Sequence, residues 1–188
     1  MAGKVGGPAY PVEMASVPPD GVILERDRDL VGRAWQIWLR RGLFALLPLV
    51  SILALVNLFG QQPSSESVSS AAASLELYAP KRVRSGLLWQ ARFHVTAREE
   101  LRKATLVLHP GWLEGMTVNT IEPSPVNEAS ANGRLSLELG HIPAGQSFLL
   151  FMDFQVNPTN VGHRPQTVEL FDGDKKLLEL DRSITIFP

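Results

Sequence analysis

Four histidines are the side chains of this 188-residue chain best suited to metal binding or acid–base chemistry. No two of them have the short spacing of a zinc-ligand pair; they are His94, His109, His141 and His163. The chain contains no cysteine, which excludes disulfides, thiolate ligands and a cysteine nucleophile. We therefore predict no catalytic residue, no metal and no cofactor. An enzyme whose site is assembled from distant residues is the third alternative for function.

A second group of side chains that could bind a metal ion is the pair of aspartates around Gly173. Asp172 and Asp174 could ligate calcium, but the twelve-residue loop with its terminal glutamate is missing. The pattern Asp-Gly between two apolar stretches is typical of a hairpin turn. The chain also lacks a nucleophile elbow, a phosphate loop, a dinucleotide fingerprint and a zinc-protease helix motif. These residues therefore predict a turn and no local catalytic motif.

The most distinctive element of the chain is an apolar run from Leu43 to Phe59 that contains no formally charged residue. A bilayer core of about 30 Å needs roughly 20 such residues, so the run predicts one transmembrane helix. We interpret it as a retained signal anchor. A cleaved signal peptide is the alternative, because the alanines at 71–73 resemble a cleavage site, although they lie more than ten residues beyond the run.

The residues before the run predict the orientation of the helix. The next basic residue after it is Lys81, so the positive-inside rule places the N-terminus in the cytoplasm and the C-terminal part outside it. Two tryptophans precede the run, where indole rings suit the membrane interface. The upstream basic residues are Arg28, Arg33, Arg40 and Arg41, and the tryptophans are Trp35 and Trp38. Residues 30–60 are therefore predicted to form an interfacial and transmembrane helix at a cell membrane.

Three residues interrupt the apolar run. Pro48 removes a helix donor and predicts a kink. Ser51 and Asn57 are polar, and polar side chains in lipid form hydrogen bonds with neighbouring helices. We predict that Ser51 and Asn57 contact a partner helix; an interfacial position is the alternative for Asn57.

Composition divides the remainder of the chain. Residues 1–29 are rich in glycine and proline and predict a flexible cytoplasmic tail. Residues 61–74 are rich in serine and alanine and predict a linker. Formal charges nearly cancel, with 18 Lys plus Arg against 19 Asp plus Glu, so no nucleic-acid interface is indicated.

Residues 75–188 alternate apolar and polar side chains with the period of a strand that buries one face. The strongest stripe lies in SFLLFMDFQV, and turn signals separate the strands. We predict a mainly β fold, an immunoglobulin-like antiparallel β-sandwich of seven or eight strands, with a small barrel as the alternative. Trp89 is predicted to fill the core where antibody domains place their disulfide.

The segment from Leu139 to Pro158 resembles the bacterial Ig-like repeat modules of surface and secreted proteins. It is preceded by Leu108, Pro110, Gly111 and Gly115 and followed by a closing strand that ends in Ile186, Phe187 and Pro188. The resemblance covers about residues 75–188. It implies a β-sandwich without shared catalytic residues, as found in spacers, adhesive units and assembly domains. A single copy on a short anchored chain favours an accessory subunit over an adhesin.

Two sets of side chains are predicted to contact a partner. If the apolar stripe of SFLLFMDFQV faces inward, Leu149 and Phe151 face outward, where a solvated strand rarely carries two large apolar residues. Trp112 is a loop aromatic that could anchor a partner, dip toward the membrane or fold back. We predict a non-catalytic, membrane-anchored interaction protein, an accessory or stabilising subunit with a protein partner. A module that binds an envelope glycan through Trp112 is the alternative, and a small-molecule ligand is not expected.

Overall fold

A computed structural model describes residues 32, 34–58 and 60–188. The chain is mainly β, with one apolar helix before two sheets, and it divides after Pro48 into two compact units. The elements are α1 (Ala34–Leu55), β1 (Pro63–Ser69), β2 (Ala73–Pro80), β3 (Arg82–Arg84), β4 (Leu88–Ala97), β5 (Leu101–Leu108), β6 (Met116–Glu122), β7 (Asn127–Ala131), β8 (Arg134–Ile142), β9 (Ser147–Val156), β10 (Gly162–Asp172) and β11 (Lys175–Phe187), with a 3₁₀ turn at Pro110–Trp112.

Helix α1 is long and apolar enough over Trp35–Leu55 to cross a membrane. Its 22 residues rise about 33 Å, close to the thickness of a bilayer core. The helix contains Pro48 and begins before the apolar run, so the stretch with Trp35 and Trp38 continues directly into it. The tail predicted for residues 1–29 lies outside the described residues.

The helix ends before the apolar run does, because the backbone conformation of Asn57 is incompatible with a continuing helix. Asn57 has a left-handed backbone with φ 58°, and its carbonyl accepts hydrogen bonds from Gly60 N (3.3 Å) and Gln62 Nε2 (3.3 Å). Asparagine tolerates this conformation, which commonly follows a helix. Asn57 therefore lies in the turn beyond Leu55 and not within α1, and its contact with a partner helix stays a prediction.

The strands form two sheets, which confirms the predicted sandwich and not the barrel. The first sheet, sheet A, has the order β1-β2-β4-β9-β6, and the second, sheet B, has the order β3-β11-β10-β5-β8-β7. With β2, β4, β6 and β9 in the places of strands A, B, D and E, and β5, β10 and β11 in those of C, F and G, the order is immunoglobulin-like. All pairs are antiparallel except β3 with β11. The hairpin β7–β8 extends sheet B beside β5.

The core lies between the sheets and is built by the alternation that the sequence predicts. Side chains from β2, β4, β9 and β10 alternate between buried and less buried positions. Trp89 is 4% exposed and its ring stacks on Phe154 with centroids 4.6 Å apart. Its predicted place in the core is confirmed.

The segment predicted as a linker is largely sheet. Residues 63–69 form β1, which pairs antiparallel with β2 from Pro63↔Pro80 to Ser69↔Ser74. This edge strand buries little apolar surface, so its serines show no hydrophobic alternation and its pairing depends on the backbone of β2. Ala71 and Ala72 belong to the turn before β2, and Ala73 is buried in β2. The predicted turn at Asp172–Asp174 is confirmed, since Asp172 pairs with Lys175.

Candidate functional site

The outer face of sheet A carries a row of aromatic, apolar and basic side chains on three adjacent strands. The register places Tyr78 of β2 opposite Arg92 of β4, and Arg92 opposite Phe151 of β9. His94 lies opposite Leu149, one pleat further along. Because side chains alternate across a strand, these residues share one face while Leu150, Met152 and Phe154 fill the core from the other. We call Glu76, Tyr78, Arg92, His94, Leu149 and Phe151 the sheet A patch.

Leu149 and Phe151 face outward, as the alternation predicts. Leu149 is 43% exposed and Phe151 is half-buried. The two side chains are the apolar border of a shallow depression of about 280 Å³ that the six patch residues line. The patch therefore combines exposed apolar surface with a concave shape.

Arg92 occupies the centre of the sheet A patch. Its guanidinium carbon lies 5.1 Å from the centroid of the Tyr78 ring and 5.8 Å from that of Phe151, which are distances for cation–π contact. Its Nε donates to Gln90 Oε1 (3.1 Å), and Gln90 Nε2 donates to Asp153 Oδ1 (3.0 Å). No carboxylate among the described residues lies within ion-pair distance of Arg92. The guanidinium is held in place by aromatic rings and an amide.

Trp112 is buried and is not a surface anchor. It is fully buried, its Nε1 donates to Thr167 O (3.2 Å), and its ring lies 5.4 Å from that of Phe93. Gly111 allows this fold, since a Cβ there would meet the carbonyl oxygen of Pro165 at 1.7 Å. The predicted partner contact of Trp112 is therefore wrong, and the glycan-binding hypothesis loses its aromatic surface.

The outer face of sheet B carries charges that pair with one another. Glu169 of β10 has a side chain only 9% exposed, and its carboxylate lies 2.6 Å from Lys176 Nζ, 3.1 Å from His109 Nε2 and 3.6 Å from Arg134 Nη1. Lys176 also contacts Glu179. We call these five residues the sheet B network.

The electrostatics of the sheet B network shift two pKa values. Burial alone would raise the pKa of the Glu169 carboxyl, but hydrogen bonds and attraction from Lys176 and His109 outweigh burial and hold it below its usual value of 4.5. Hydrogen bonds to Glu169 and Glu179 raise the pKa of Lys176 above its usual value of 10.5. Both shifts favour the charged forms that make the network.

A buried cation lies between the sheets. Arg182 of β11 donates from Nη2 to Pro80 O (2.6 Å), and its Nε lies 3.7 Å from Glu66 Oε2 on β1. Burial lowers the pKa of Arg182, and the nearby charge of Glu66 opposes this effect. Glu66 also pairs with Lys81 at 2.6 Å. The edge strand that the sequence does not reveal thus supplies the counter-charge of an interior arginine.

The four histidines are not brought together. His94 lies on the outer face of sheet A and His109 in the sheet B network, while His141 contacts Glu100 (3.0 Å) and His163 contacts Thr185 Oγ1 (3.4 Å). In the part of the chain that the structure describes, no three His, Asp or Glu side chains group as metal ligands.

The predicted helix residues lie along α1. Trp35 and Trp38 are exposed, and Arg41 lies over the Trp38 ring at 5.4 Å. Arg40 and Ser51 are also exposed. The membrane-interface and helix-contact roles of these residues stay predictions.

Sequence reasoning missed Tyr78, Arg92 and the sheet B network. Tyr78 and Arg92 stand at the polar positions of their strands, where exposure is the ordinary expectation. The strand register was needed to show that Arg92 lies between Tyr78 and Phe151.

No known protein family matches the sequence, and no curated protein does. Several solved structures are similar at low identity. AvmM, which catalyzes macrocyclization in alchivemycin A biosynthesis, is 9% identical over 69% of this chain and 90% of its own, with a TM-score of 0.40. The GAE domain of GGA2p from Saccharomyces cerevisiae is 11% identical over 66% and 96%, with a TM-score of 0.37. The CARDB domain of a Pyrococcus furiosus protein is 13% identical over 68% and 96%, with a TM-score of 0.36. Similarity of this extent assigns the chain to none of these families.

Proposed function

We propose that this chain is a non-catalytic interaction protein, anchored in a membrane by α1, whose sandwich binds a protein partner through the sheet A patch. One observation carries the proposal: Leu149 and Phe151 are outward-facing apolar side chains beside a guanidinium that has no ion-pair partner among the described residues. Clustered exposed apolar and aromatic side chains with arginine are typical of protein interfaces.

The chemistry of the sheet A patch defines the partner surface. Arg92 presents its terminal nitrogens between two aromatic rings, and a planar guanidinium binds a carboxylate with two parallel hydrogen bonds. Leu149 offers apolar area next to it. The complementary partner surface carries an Asp or Glu beside an apolar side chain. Such a partner in the same membrane or envelope makes this chain an accessory or stabilising subunit.

Co-purification tests the partner surface. The full chain is purified from its native membrane in mild detergent, and bound proteins are identified by mass spectrometry. The wild type and Gln155→Lys are expected to retain the same partner, whereas Leu149→Lys loses it. Gln155 is the matched control because it is exposed on the outer face of the same strand. Recovery of only free monomer, or equal recovery with Leu149→Lys, contradicts the proposal.

The orientation follows from the arginines before the apolar run, which hold that end of the helix in the cytoplasm. Because the chain has no cysteine, single cysteines report sidedness cleanly. Ala144→Cys, in an exposed turn of the sandwich, is expected to react with a membrane-impermeant maleimide in intact cells or spheroplasts. Protection of this cysteine until the membrane is lysed would reverse the orientation.

A further inference from the structure

One end of the sandwich is tied to the segment that follows helix α1. Gln61 Nε2 donates to Leu88 O (2.9 Å), and Arg82 Nη1 donates to Leu58 O (3.2 Å). Gln61 is the second residue after the apolar run, so the chain can separate it from Phe59 by only about 7 Å. If the run lies in the bilayer core, Gln61 lies in the headgroup layer, which is about 5 to 7 Å thick on each side.

The turn that Gln61 contacts exposes two leucines. Leu87 is 46% exposed and Leu88 is 59% exposed, at the start of β4. Gly86 N donates to Val156 O (3.0 Å) and Val156 N donates to Leu87 O (3.1 Å), so backbone hydrogen bonds to the end of β9 fix this turn. The leucines are therefore presented by a rigid turn and are not covered by another part of the described chain.

Basic side chains border the two leucines. Arg82 and Arg84 of β3 are exposed and point away from the core, while Val83 between them is buried. Neither arginine forms an ion pair with a described residue. Apolar side chains flanked by arginines without ion-pair partners complement an anionic lipid surface.

The opposite end of the sandwich lacks this combination. The turns after β1, β4, β8 and β10 carry no exposed large apolar side chain, whereas the loop that follows β6 toward this end exposes Val126 (71%). Charges of both signs occur there instead, including Arg98, Glu99 and Asp174. The end that is connected to the helix is thus the one where two adjacent exposed leucines follow arginines without a described ion-pair partner, whereas the opposite end exposes the single Val126.

We infer that the turn with Leu87 and Leu88 docks on the surface of the same membrane that α1 spans, with Arg82 and Arg84 on anionic lipid headgroups. This contact fixes the sandwich close to the bilayer and limits its rotation about the segment after the helix. The inference rests on the proposed membrane anchoring. It assigns a lipid surface, not a protein, as the partner of this end.

Spin labels on single cysteines test the docking in the full chain. Leu88→Cys is labelled with a nitroxide and reconstituted in vesicles of phosphatidylcholine with phosphatidylglycerol. Collision with oxygen, which enters lipid, is compared with collision with a water-soluble nickel chelate. The label at position 88 is expected to collide more with oxygen than with the nickel chelate, as a label at a lipid-exposed site does. Leu87→Cys is the second variant in case one position perturbs the turn.

Two labelled controls separate this inference from the proposed anchoring. Ala54→Cys lies in α1 and reports membrane insertion of the helix, while Ala144→Cys lies in a turn of the opposite end and is expected to remain aqueous. If the label at position 54 is in lipid but those at 87 and 88 are aqueous, the docking is overturned and the anchor stands. If the label at 54 is also aqueous, the anchoring itself fails.

Charge reversal tests the role of the arginines. Arg82→Glu with Arg84→Glu is expected to move the label at position 88 back into water, and so is replacement of phosphatidylglycerol by phosphatidylcholine alone. High salt is expected to have the same effect, because it screens exposed charges. If the label at position 88 remains lipid-exposed in the charge-reversal variant and in vesicles without phosphatidylglycerol, the assignment to anionic headgroups is overturned.

Discussion

The two outer faces of the sandwich differ in how they satisfy their charged groups. On sheet B, Glu169 collects three basic side chains within 3.6 Å, so charges are paired inside the chain. On sheet A, Arg92 lies between Tyr78 and Phe151 and has no ion-pair partner among the described residues. Charged groups that are paired within the chain do not require an ion-pair partner from another molecule. From this difference we expect the sheet B network to contribute to stability, and we propose the sheet A patch as the binding surface.

The largest loss of stability is expected for the buried charge that lies between the two sheets. Glu66→Ala removes the carboxylate beside Arg182 and leaves a buried cation without its counter-charge, so the free energy of unfolding should fall by about 3 kcal/mol. Urea unfolding of the full chain in detergent, followed by tryptophan fluorescence, measures it. Adding Arg182→Met should restore most of the loss, because a buried ion pair can be replaced by apolar packing. If the double variant is as unstable as the single one, strand β1 matters for another reason.

A smaller but clear loss is expected on the sheet B face. Glu169→Ala removes the acceptor shared by Lys176, His109 and Arg134, and the free energy of unfolding should fall by about 2 kcal/mol. Glu179→Ala is the matched control, because Glu179 is a more exposed partner of Lys176; its cost should stay below about 1 kcal/mol. Equal losses for both variants would contradict the central role of Glu169.

The sheet B network also predicts the pH dependence of stability. The pKa of Glu169 is lowered in the folded state, so its contribution is present above its usual pKa of 4.5 and disappears as pH falls through the lower folded value. The pKa of Lys176 is raised, so its contribution is present below 10.5 and disappears as pH rises through the higher folded value.

Unfolding curves measured from neutral to acidic pH test this dependence. Glu169→Gln should remove part of the acid sensitivity, whereas Leu149→Ser should leave the pH profile unchanged. A wild-type profile that matches the Glu169→Gln profile at every acidic pH would contradict the assignment.

The smallest effect on stability is expected on the sheet A face. Leu149→Ser replaces a side chain that is already 43% exposed, so the free energy of unfolding should change by less than about 0.5 kcal/mol. Leu150→Ser, one residue along and fully buried, should destabilise the sandwich by several times that amount. Together with the co-purification of Leu149→Lys, this pair separates a binding role from a structural one. A large loss for Leu149→Ser would mean that the patch supports the fold.

Much of the fold follows from local patterns. The alternation of apolar and polar residues predicts the buried face of β9 and the core position of Trp89. The Asp-Gly sequence predicts the turn at Gly173. Strand β1 could not be found this way, because an edge strand rich in serine resembles a linker. The end of α1 at Leu55 was also not predictable from hydropathy, which continues to Phe59 while the left-handed Asn57 stops the helix.

The candidate site was predictable only in part. Leu149 and Phe151 follow from strand parity, since inward Leu150 leaves its neighbours outside. Trp112 was misjudged because a loop aromatic can be either exposed or buried, and only the close approach of Gly111 to Pro165 decides that it turns inward.

By itself, the sequence determined the apolar span, the alternation of the strands and the outward position of Leu149, because each depends on spacing along a single segment. Only the tertiary structure decided which strands are neighbours. That choice placed Arg92 between Tyr78 and Phe151, gathered basic side chains around Glu169 and set Glu66 beside Arg182. The physical reason is that sheet register joins residues far apart in the chain through backbone hydrogen bonds, which any sequence can form.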